Sequence, residues 1–371
     1  MRRVRTAIVS DLHLGTTSGA DLARRPDVFE RLASALLEAD RVVVLGDLLE
    51  LRERPAREVL ELAGPCLDAL GEATAGKQVL LVPGNHDHQL VSPALDGARL
   101  NGDGGLPAAA SFDPASSELA LRVAARMPKA AVELAYPGVW LREDTYATHG
   151  HYLDLRLTVP RVECVVGSAI ARFAAPAGHP TGAEAYEAAL APLYAFAFSV
   201  VQGSPGAAIT RGNNLSRQVW SSMNPEGRRS LAGRALGSIG IPGAVAALNA
   251  LGLGPFRADI SAVELRRAGL RAMAEVTREL GVEASHVIFG HTHRAGPLTG
   301  DVEGWWLRGG TQLTNTGSWL YEDVFVGEDG PSNPYWPGRV TWLGDEGPPE
   351  IRDALSDLDP AELRRTMEAP A

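Results

Sequence analysis

The sequence predicts an α/β protein built around a layered sheet, and three observations support that prediction. Short apolar runs rich in Val and Leu recur along the first part of the chain, with helical patterns between them. The connections between these runs are short, as in strand–helix–strand units. A polar motif follows directly after several of the apolar runs. Because parallel strands open a binding crevice at their carboxyl ends, these motifs are expected to meet there.

The individual elements are predicted in chain order. The first half reads as strands at 6–10, 41–45 and 78–82, with helices at 26–39 and 55–75 between them. The part that follows is predicted to contain a loop at 100–115, a short helix at 117–127, strands at 139–148 and 286–289, further strands of antiparallel character at 305–308, 312–318 and 339–343, and a short charged helix from Pro360.

The domain organisation is predicted to be a core with one large insertion. Residues 1–151 and 284–345 form the core, 152–283 form a helical cap over the active site, and 346–371 form a peripheral C-terminal tail. Apolar helical segments are expected at 162–175, 183–202 and 235–256. The last lacks charge, but its glycines and prolines favour short packed helices over a membrane span. These apolar helices either pack as core or form a groove for lipid.

Composition and charge narrow the class of protein. An apolar fraction of 45% over 371 residues is typical of a globular protein with a large core. The net charge of −10 argues against general nucleic-acid binding, yet it allows a phosphorylated small molecule because bound cations would reverse the local field. Cys66 and Cys164 are interpreted as buried thiols in a reducing compartment, and the N-terminus lacks a secretory pattern, so a cytoplasmic location is expected.

Five polar motifs hold six of the nine histidines, and they offer imidazole, carboxylate and amide ligands. They are Asp11-Leu12-His13, Gly46-Asp47-Leu48-Leu49-Glu50, Gly84-Asn85-His86-Asp87, Thr148-His149-Gly150-His151 and Gly290-His291-Thr292-His293. Such donors are those of a two-metal hydrolytic centre, in which two cations generate a nucleophile from water and neutralise phosphate charge. Mixed nitrogen and oxygen ligands suit Mn, Fe, Zn or Co better than Mg or Ca.

Two ligand sets can be assigned around one shared carboxylate. The first ligand set is Asp11, His13, Asp47 and His293; the second ligand set is Asp47, Asn85, His149 and His291. His86 is the candidate general acid or transition-state stabiliser. Asp87 is expected to orient a histidine, and Glu50 either does the same or caps the next helix.

Several neighbouring polar residues keep two interpretations. His88 and His151 either support the ligands or lie at the surface, and Arg294 either contacts phosphate or is a solvated charge. His179 and His286 are predicted to be structural.

Taken together, the ordered motifs resemble those of the calcineurin-like metallophosphoesterase family, and Asn315-Thr316-Gly317-Ser318 resembles that family's Asn-Pro-Gly-Ser turn. The resemblance implies a four-layer α/β/β/α sandwich, a di-metal centre with the two ligand sets above, and His86 as the catalytic histidine. A narrower similarity is to UDP-2,3-diacylglucosamine pyrophosphatases, which cleave a lipid-linked pyrophosphate under a helical lid. This chain differs from them in Gly-Asn-His-Asp for Gly-Asn-Arg-Asp and in His-Gly-His for His-Gly-Asp.

The function expected from these residues is a di-metal phosphoesterase. It would hydrolyse a phosphodiester or pyrophosphate bond by attack of a metal-bound hydroxide, with two divalent ions, Mn first, and a nucleotide- or lipid-linked substrate. Peripheral membrane contact through the cap is part of this expectation. The alternatives are a phosphomonoesterase or protein phosphatase, and a non-catalytic scaffold of the same fold.

Overall fold

The computed structural model describes residues 4–102, 104–158, 181–203, 262–301, 303–326 and 330–364, and the isolated positions 246, 249, 250 and 254. The chain divides into two compact units. The first unit comprises Met1–His151 with Val282–Ala371, and the second comprises Tyr152–Gly281. All five motifs belong to the first unit, so the candidate site can be described within it.

The described residues contain eleven strands. In chain order they are β1 (Thr6–Val9), β2 (Arg41–Leu45), β3 (Gln78–Val82), β4 (Ala110–Phe112), β5 (Ala131–Tyr136), β6 (Gly138–Arg142), β7 (Thr145–Thr148), β8 (His286–Phe289), β9 (Gln312–Asn315), β10 (Arg339–Leu343) and β11 (Glu350–Asp353).

Eight α-helices lie in the same described part of the chain. They are α1 (Pro26–Leu36), α2 (Ala56–Ala73), α3 (Ser92–Asn101), α4 (Glu118–Ala124), α5 (Ala183–Gly203), α6 (Ala262–Glu279), α7 (Asp323–Val326) and α8 (Pro360–Leu363). Pro26 occupies the first turn of α1, where its missing N–H costs no hydrogen bond.

A seven-stranded sheet runs in the order β11-β10-β1-β2-β3-β5-β4. Its centre, from β1 through β2 and β3 to β5, is parallel, whereas β10, β11 and β4 pair antiparallel with their neighbours. Since β1, β2 and β3 are parallel neighbours, the loops that follow them leave from one edge of the sheet. The first three motifs are therefore brought to that edge.

A second sheet has four strands in the order β6-β7-β8-β9, with β7, β8 and β9 parallel. One core cluster joins the two sheets: Ile8, Val43 and Leu80 from the first sheet are buried with Ala147 and Ile288 from the second. The two sheets thus pack face to face, as in a sandwich.

The opposite face of the first sheet is also buried. Alternate residues of β2, Val42 and Val44, point away from the core between the sheets and are almost inaccessible. Helices α1 and α2 connect the parallel strands, so their apolar stripes, including Leu32 and Leu67, cover this face. The predicted α/β sandwich of sheets flanked by helices is confirmed, whereas the function of the insertion as a cap stays a prediction.

Several element predictions need correction. Residues 139–148 form the hairpin of β6 and β7, because the chain turns between Arg142 and Thr145. The predicted 100–115 loop contains the short strand β4, which pairs with β5, a strand the apolar pattern did not reveal. The predicted strand at 305–308 is not formed by these described residues. Trp306 makes only an isolated β-bridge with Gln312. Strand β9 is parallel to β8, not antiparallel.

The C-terminal segment is more integrated than a peripheral tail. Strand β11 extends the seven-stranded sheet by pairing with β10, and Leu355 and Leu363 are buried. The predicted short helix from Pro360 is present as α8, closed by a capping box between Asp359 and Glu362.

Within the second unit, helices α5 and α6 are the elements that the structure describes. The predicted apolar segment at 183–202 corresponds to α5, while the predictions for 162–175 and 235–256, with His179 and Cys164, lie outside the described residues. Among the helices described, none combines the length and the apolarity that crossing a membrane requires.

Candidate metal centre

The backbone is strained at the predicted ligands. Among the described residues, the non-glycine positions with a left-handed φ are Asp11, His13, Asp47, His291 and His293, with values between 44° and 67°. All five belong to the two predicted ligand sets. Such conformations cost energy and persist where the surrounding structure requires them, so they indicate a functional arrangement of these side chains.

The loops after β1 and β2 hold one another in place. Asp11 N–H donates to Gly46 O at 3.1 Å, and His13 N–H donates to Asp47 O at 2.8 Å. The two loops continue side by side through Leu14 N–H, which donates to Leu48 O at 2.9 Å. Backbone hydrogen bonds alone therefore fix the first two motifs in register.

The first ligand set converges as predicted. His13 Nε2 lies 3.3 Å from His293 Nε2, and Asp11 Oδ1 lies 3.3 Å from His293 Nε2 and 3.9 Å from His13 Nε2. The strand-end residues Asp11 and His13 are buried, and the side chain of His293 is 24% exposed. Ligand atoms bound to one transition-metal ion at about 2.1 Å lie roughly 3–3.4 Å apart, so this spacing fits a shared cation.

The second ligand set meets in the same way. His149 Nε2 lies 3.2 Å from Asp47 Oδ2 and 3.2 Å from Asn85 Oδ1. Donor atoms of Asp47, His149 and His291 all lie within 4.8 Å of one another. Strands β7 and β8 are parallel neighbours, which explains why His149 and His291, each just after one of them, face the same space.

Asp47 joins the two sets. Its Oδ2 lies 3.5 Å from His13 Nε2 and 3.2 Å from His149 Nε2, while its Oδ1 accepts the His86 N–H at 2.9 Å. The structure therefore brings all seven predicted ligands to one place, with the shared carboxylate in the middle.

Glu50 supports two histidines at once. Its Oε2 lies 3.0 Å from His13 Nδ1 and 2.7 Å from His86 Nδ1. When Nδ1 carries the hydrogen, the opposite nitrogen, Nε2, keeps the lone pair that can bind a metal ion. Helix α2 begins only at Ala56, with Pro55 at its N-cap, so Glu50 orients histidines and does not cap this helix.

Electrostatics also favour cations here. Burial alone would raise the pKa of Glu50, but His86 and His13 outweigh it and keep that pKa well below its usual range. Burial alone would lower the pKa of His149, yet the Asp47 carboxylate raises it to about 9. Similarly, burial alone would lower the pKa of His293, but the nearby carboxylates of Asp11 and Glu322 raise it to about 10. Buried carboxylates this close together demand positive charge, which protons or metal ions can supply.

Three glycines leave the space that the site needs. A Cβ on Gly84 would lie 2.2 Å from Asp47 Oδ1, and a Cβ on Gly46 would lie 2.1 Å from His149 Nδ1. A Cβ on Gly290 would lie 2.6 Å from Asp11 Oδ2. Each of these three glycines is therefore required by the close approach of a ligand side chain.

The remaining motif residues are placed differently from expectation. Asp87 orients no histidine: it accepts from the backbone N–H groups of Gly84 at 2.7 Å and Leu48 at 2.8 Å, and burial raises its pKa to about 6. It thus ties the second and third motifs together. His88 and His151 are both buried, and His151 Nε2 lies 3.1 Å from the Tyr136 hydroxyl, so the surface interpretation is wrong for them.

Arg294 is not a solvated charge. Its guanidinium donates to Asp301 at 2.9 and 3.1 Å and lies over the ring of Trp305, 5.5 Å from the centroid. Arg294 therefore organises the loop after the fifth motif.

The donor set fits metal ions on structural grounds. Asp11 Oδ1 is buried and accepts no hydrogen bond from the described residues, although it faces two imidazoles. His149 is oriented in the same sense, since its Nδ1 lies 3.0 Å from Leu45 O and its Nε2 faces Asp47. Oriented imidazoles, an unsatisfied buried carboxylate oxygen and a shared carboxylate are the features of a metal centre.

Part of the chain matches the model of a known protein family. Residues 4–165 match the family model described as calcineurin-like phosphoesterase. These residues are therefore similar to a calcineurin-like phosphoesterase domain. The match covers the first four motifs, and the structure adds His291 and His293 to the same centre.

Two phosphatases of known structure resemble this chain only distantly. A dimetal phosphatase from Danio rerio is 12% identical, with 94% of this chain and 98% of that chain covered and a TM-score of 0.32. A cold-active protein-tyrosine phosphatase of a psychrophilic Shewanella species is 12% identical, with 92% and 75% covered and a TM-score of 0.27. No curated protein matches the chain. The similarity to UDP-2,3-diacylglucosamine pyrophosphatases stays a prediction.

Proposed function

We propose that this protein is a di-metal phosphoesterase that hydrolyses a phosphodiester or pyrophosphate bond in a nucleotide- or lipid-linked substrate. One observation carries the proposal: both predicted ligand sets converge on Asp47, whose Oδ2 lies between His13 Nε2 and His149 Nε2. The proposed ligands are Asp11, His13, Asp47, Asn85, His149, His291 and His293, and the proposed ions are two divalent cations, Mn first.

Each residue has a distinct part in the proposed reaction. When bound, the two ions would supply a nucleophile from water at neutral pH and neutralise charge on phosphate. Asp47 would hold them at a fixed separation. Asn85 adds an uncharged oxygen, which limits the negative charge facing an anionic substrate.

His86 is the proposed catalytic histidine. Its side chain is 17% exposed, so it lies at the open side of the centre. Glu50 faces Nδ1, so in the imidazolium form the second proton would be on Nε2, from which it would be donated to, or would stabilise, an oxygen of the reacting phosphate. The ring packs edge-on against His13 with centroids 4.5 Å apart, which places it beside the first ligand set.

The proposed substrate class follows from charge and from the insertion. The chain's net charge of −10 disfavours a general nucleic-acid substrate, whereas a small anion can be attracted by two bound cations. A cytoplasmic location and peripheral membrane contact through residues 152–283 belong to this proposal. Two alternatives remain for the test: a phosphomonoesterase or protein phosphatase, and a scaffold without turnover.

The test compares bis-p-nitrophenyl phosphate with p-nitrophenyl phosphate on metal-stripped protein supplied with Mn²⁺. We expect Mn-dependent turnover of the diester, lost in Asp47→Asn and reduced about 10²–10⁴-fold in His86→Ala, the range typical of a general acid. Asp68→Asn is the matched control, because Asp68 is an exposed carboxylate that pairs with Arg126 on the protein surface.

Three results would change the proposal. Turnover of the monoester alone would favour the phosphomonoesterase alternative. Hydrolysis that persists unchanged in Asp47→Asn would contradict the proposed centre. Protein that holds two Mn²⁺ ions but turns over neither compound would favour the scaffold.

A further inference from the structure

The segment that follows β9 runs beside the first ligand set. Thr316 Oγ1 lies 2.6 Å from Ser10 Oγ, next to Asp11, and Trp319 N–H donates to Asp11 O at 3.1 Å. Further along, the Glu322 carboxylate reaches to within 3.8 Å of His293 Nδ1. Glu322 lies outside all five motifs, and its side chain is 14% exposed.

The backbone around Glu322 is anchored on both sides. Tyr321 N–H donates to Ala20 O at 3.0 Å, and Glu322 O accepts from Phe325 and Val326 at 2.9 and 3.1 Å as helix α7 begins. The backbone position of Glu322 is thus fixed by contacts that do not involve His293.

A carboxylate faces Nδ1 of each histidine of the first ligand set, at hydrogen-bond distance for His13 and at ion-pair distance for His293. Glu50 Oε2 lies 3.0 Å from Nδ1 of His13, and Glu322 Oε2 lies 3.8 Å from Nδ1 of His293. Both Nε2 atoms point to the same place, 3.3 Å apart. In the second ligand set, Nδ1 of His149 faces the neutral carbonyl of Leu45.

We propose that Glu322 is a positioning residue for the first ligand set, holding the proton of His293 on Nδ1 and so presenting Nε2 to the ion. The inference rests on the proposed di-metal function. A carboxylate behind a ligand histidine fixes its tautomer and raises its basicity. Since a carboxylate faces Nδ1 of both histidines of the first set, we expect the first set to be the tighter of the two metal positions.

The test is a calorimetric titration of metal-stripped protein with Mn²⁺, with bound metal counted by elemental analysis. In the wild type we expect two classes of site. Glu322→Ala should weaken the tighter class about 10–100-fold, the usual cost of losing such a partner, and leave the weaker class unchanged. Glu322→Gln keeps an acceptor without charge and should fall between the two.

Asp323→Ala is the matched control. Asp323 is the next residue and also a carboxylate, but it accepts from Tyr321 and Arg364 and is mostly exposed. An equal loss in Asp323→Ala would overturn the proposal, because the effect would then come from general negative charge. Thermal unfolding of each metal-free variant shows whether the fold is intact.

The remaining outcomes separate this inference from the proposed function. If the wild type binds two Mn²⁺ ions and hydrolyses the diester while both Glu322 variants bind Mn²⁺ as tightly, Glu322 has no positioning role and the proposed function stands. If the wild type binds no Mn²⁺, both are overturned. Should Glu322→Ala fail to fold, an unweakened tight site in Glu322→Gln overturns the positioning role.

Discussion

At the scale of single residues, the candidate centre is built from backbone conformations that residues other than glycine seldom adopt. Asp11 and His13, and likewise His291 and His293, take left-handed φ values one residue apart. Aspartate and histidine tolerate this region better than most residues, but it still costs energy. In an extended strand, two residues separated by one position point to the same face but stand roughly 7 Å apart. The left-handed conformations bring such a pair closer, and Asp11 Oδ1 lies 3.9 Å from His13 Nε2.

The glycines of the motifs provide a test at this scale. In Gly84→Ala, the new Cβ would lie 2.2 Å from Asp47 Oδ1 and 2.7 Å from His149 Cδ2, so one of these side chains must move. We expect loss of Mn²⁺ binding, measured by calorimetry. Because both ligands belong to the second set, the second ion should be lost first.

Gly97→Ala is the matched control for this substitution. Gly97 lies in α3 with nothing within 4 Å of its ideal Cβ, so alanine should leave metal binding unchanged. It should also stabilise the helix by about 0.5–1 kcal/mol. Equal Mn²⁺ binding by the two variants would contradict the close packing inferred around Asp47.

At the scale of elements, the second unit contains a buried polar link. Arg156 pairs with Glu279 of α6 at 2.7 Å, and both side chains are less than a tenth exposed. Tyr186 of α5 contacts the same carboxylate and stacks on Tyr152 with ring centroids 5.0 Å apart. The link therefore ties the described helices of this unit to the segment that follows His151.

Breaking that link should destabilise the second unit. Glu279→Gln removes the carboxylate charge that pairs with the buried Arg156, and breaking such a buried pair costs about 3–5 kcal/mol. We expect faster hydrogen exchange in α5 and α6, followed by mass spectrometry. Glu275→Gln on the same helix is the control, since its ion pair with Arg278 is exposed and should be worth under about 1 kcal/mol. Equal exchange in both variants would mean that the buried pair has no such role.

At the scale of the whole molecule, the ligands and the insertion belong to separate parts of the chain. All seven proposed ligands lie in the first unit, and the second unit is continuous from Tyr152 to Gly281. Chemistry and substrate selection can therefore be tested separately.

Removing residues 152–281 is the corresponding experiment. We expect the shortened protein to keep two Mn²⁺ ions and to hydrolyse bis-p-nitrophenyl phosphate, because the ligands are retained. Activity on a lipid-linked pyrophosphate in vesicles should be lost if the insertion binds the lipid part. Equal loss of both activities, with Mn²⁺ binding intact, would show that the insertion supports the catalytic core and does not select the substrate.

Sequence patterns predicted the parts of the fold that local chemistry controls. Strands β1, β2 and β3 and the helices between them were predictable because their apolar periodicity is strong and their loops are short. The hairpin of β6 and β7 was harder, since both strands are short and the turn between them carries no glycine or proline. Strand β5 escaped because its burial pattern departs from simple alternation.

The sequence by itself determined the chemistry available to this protein: which donors exist, their spacing in each motif, and the resemblance that carries the phosphoesterase class. Only the tertiary structure decided which donors meet. Parallel pairing in both sheets brings His149 and His291 to Asp47, and the chain after β9 brings Glu322 to His293. No local pattern marks Glu322, because its contact joins segments whose proximity depends on how the sheets pack.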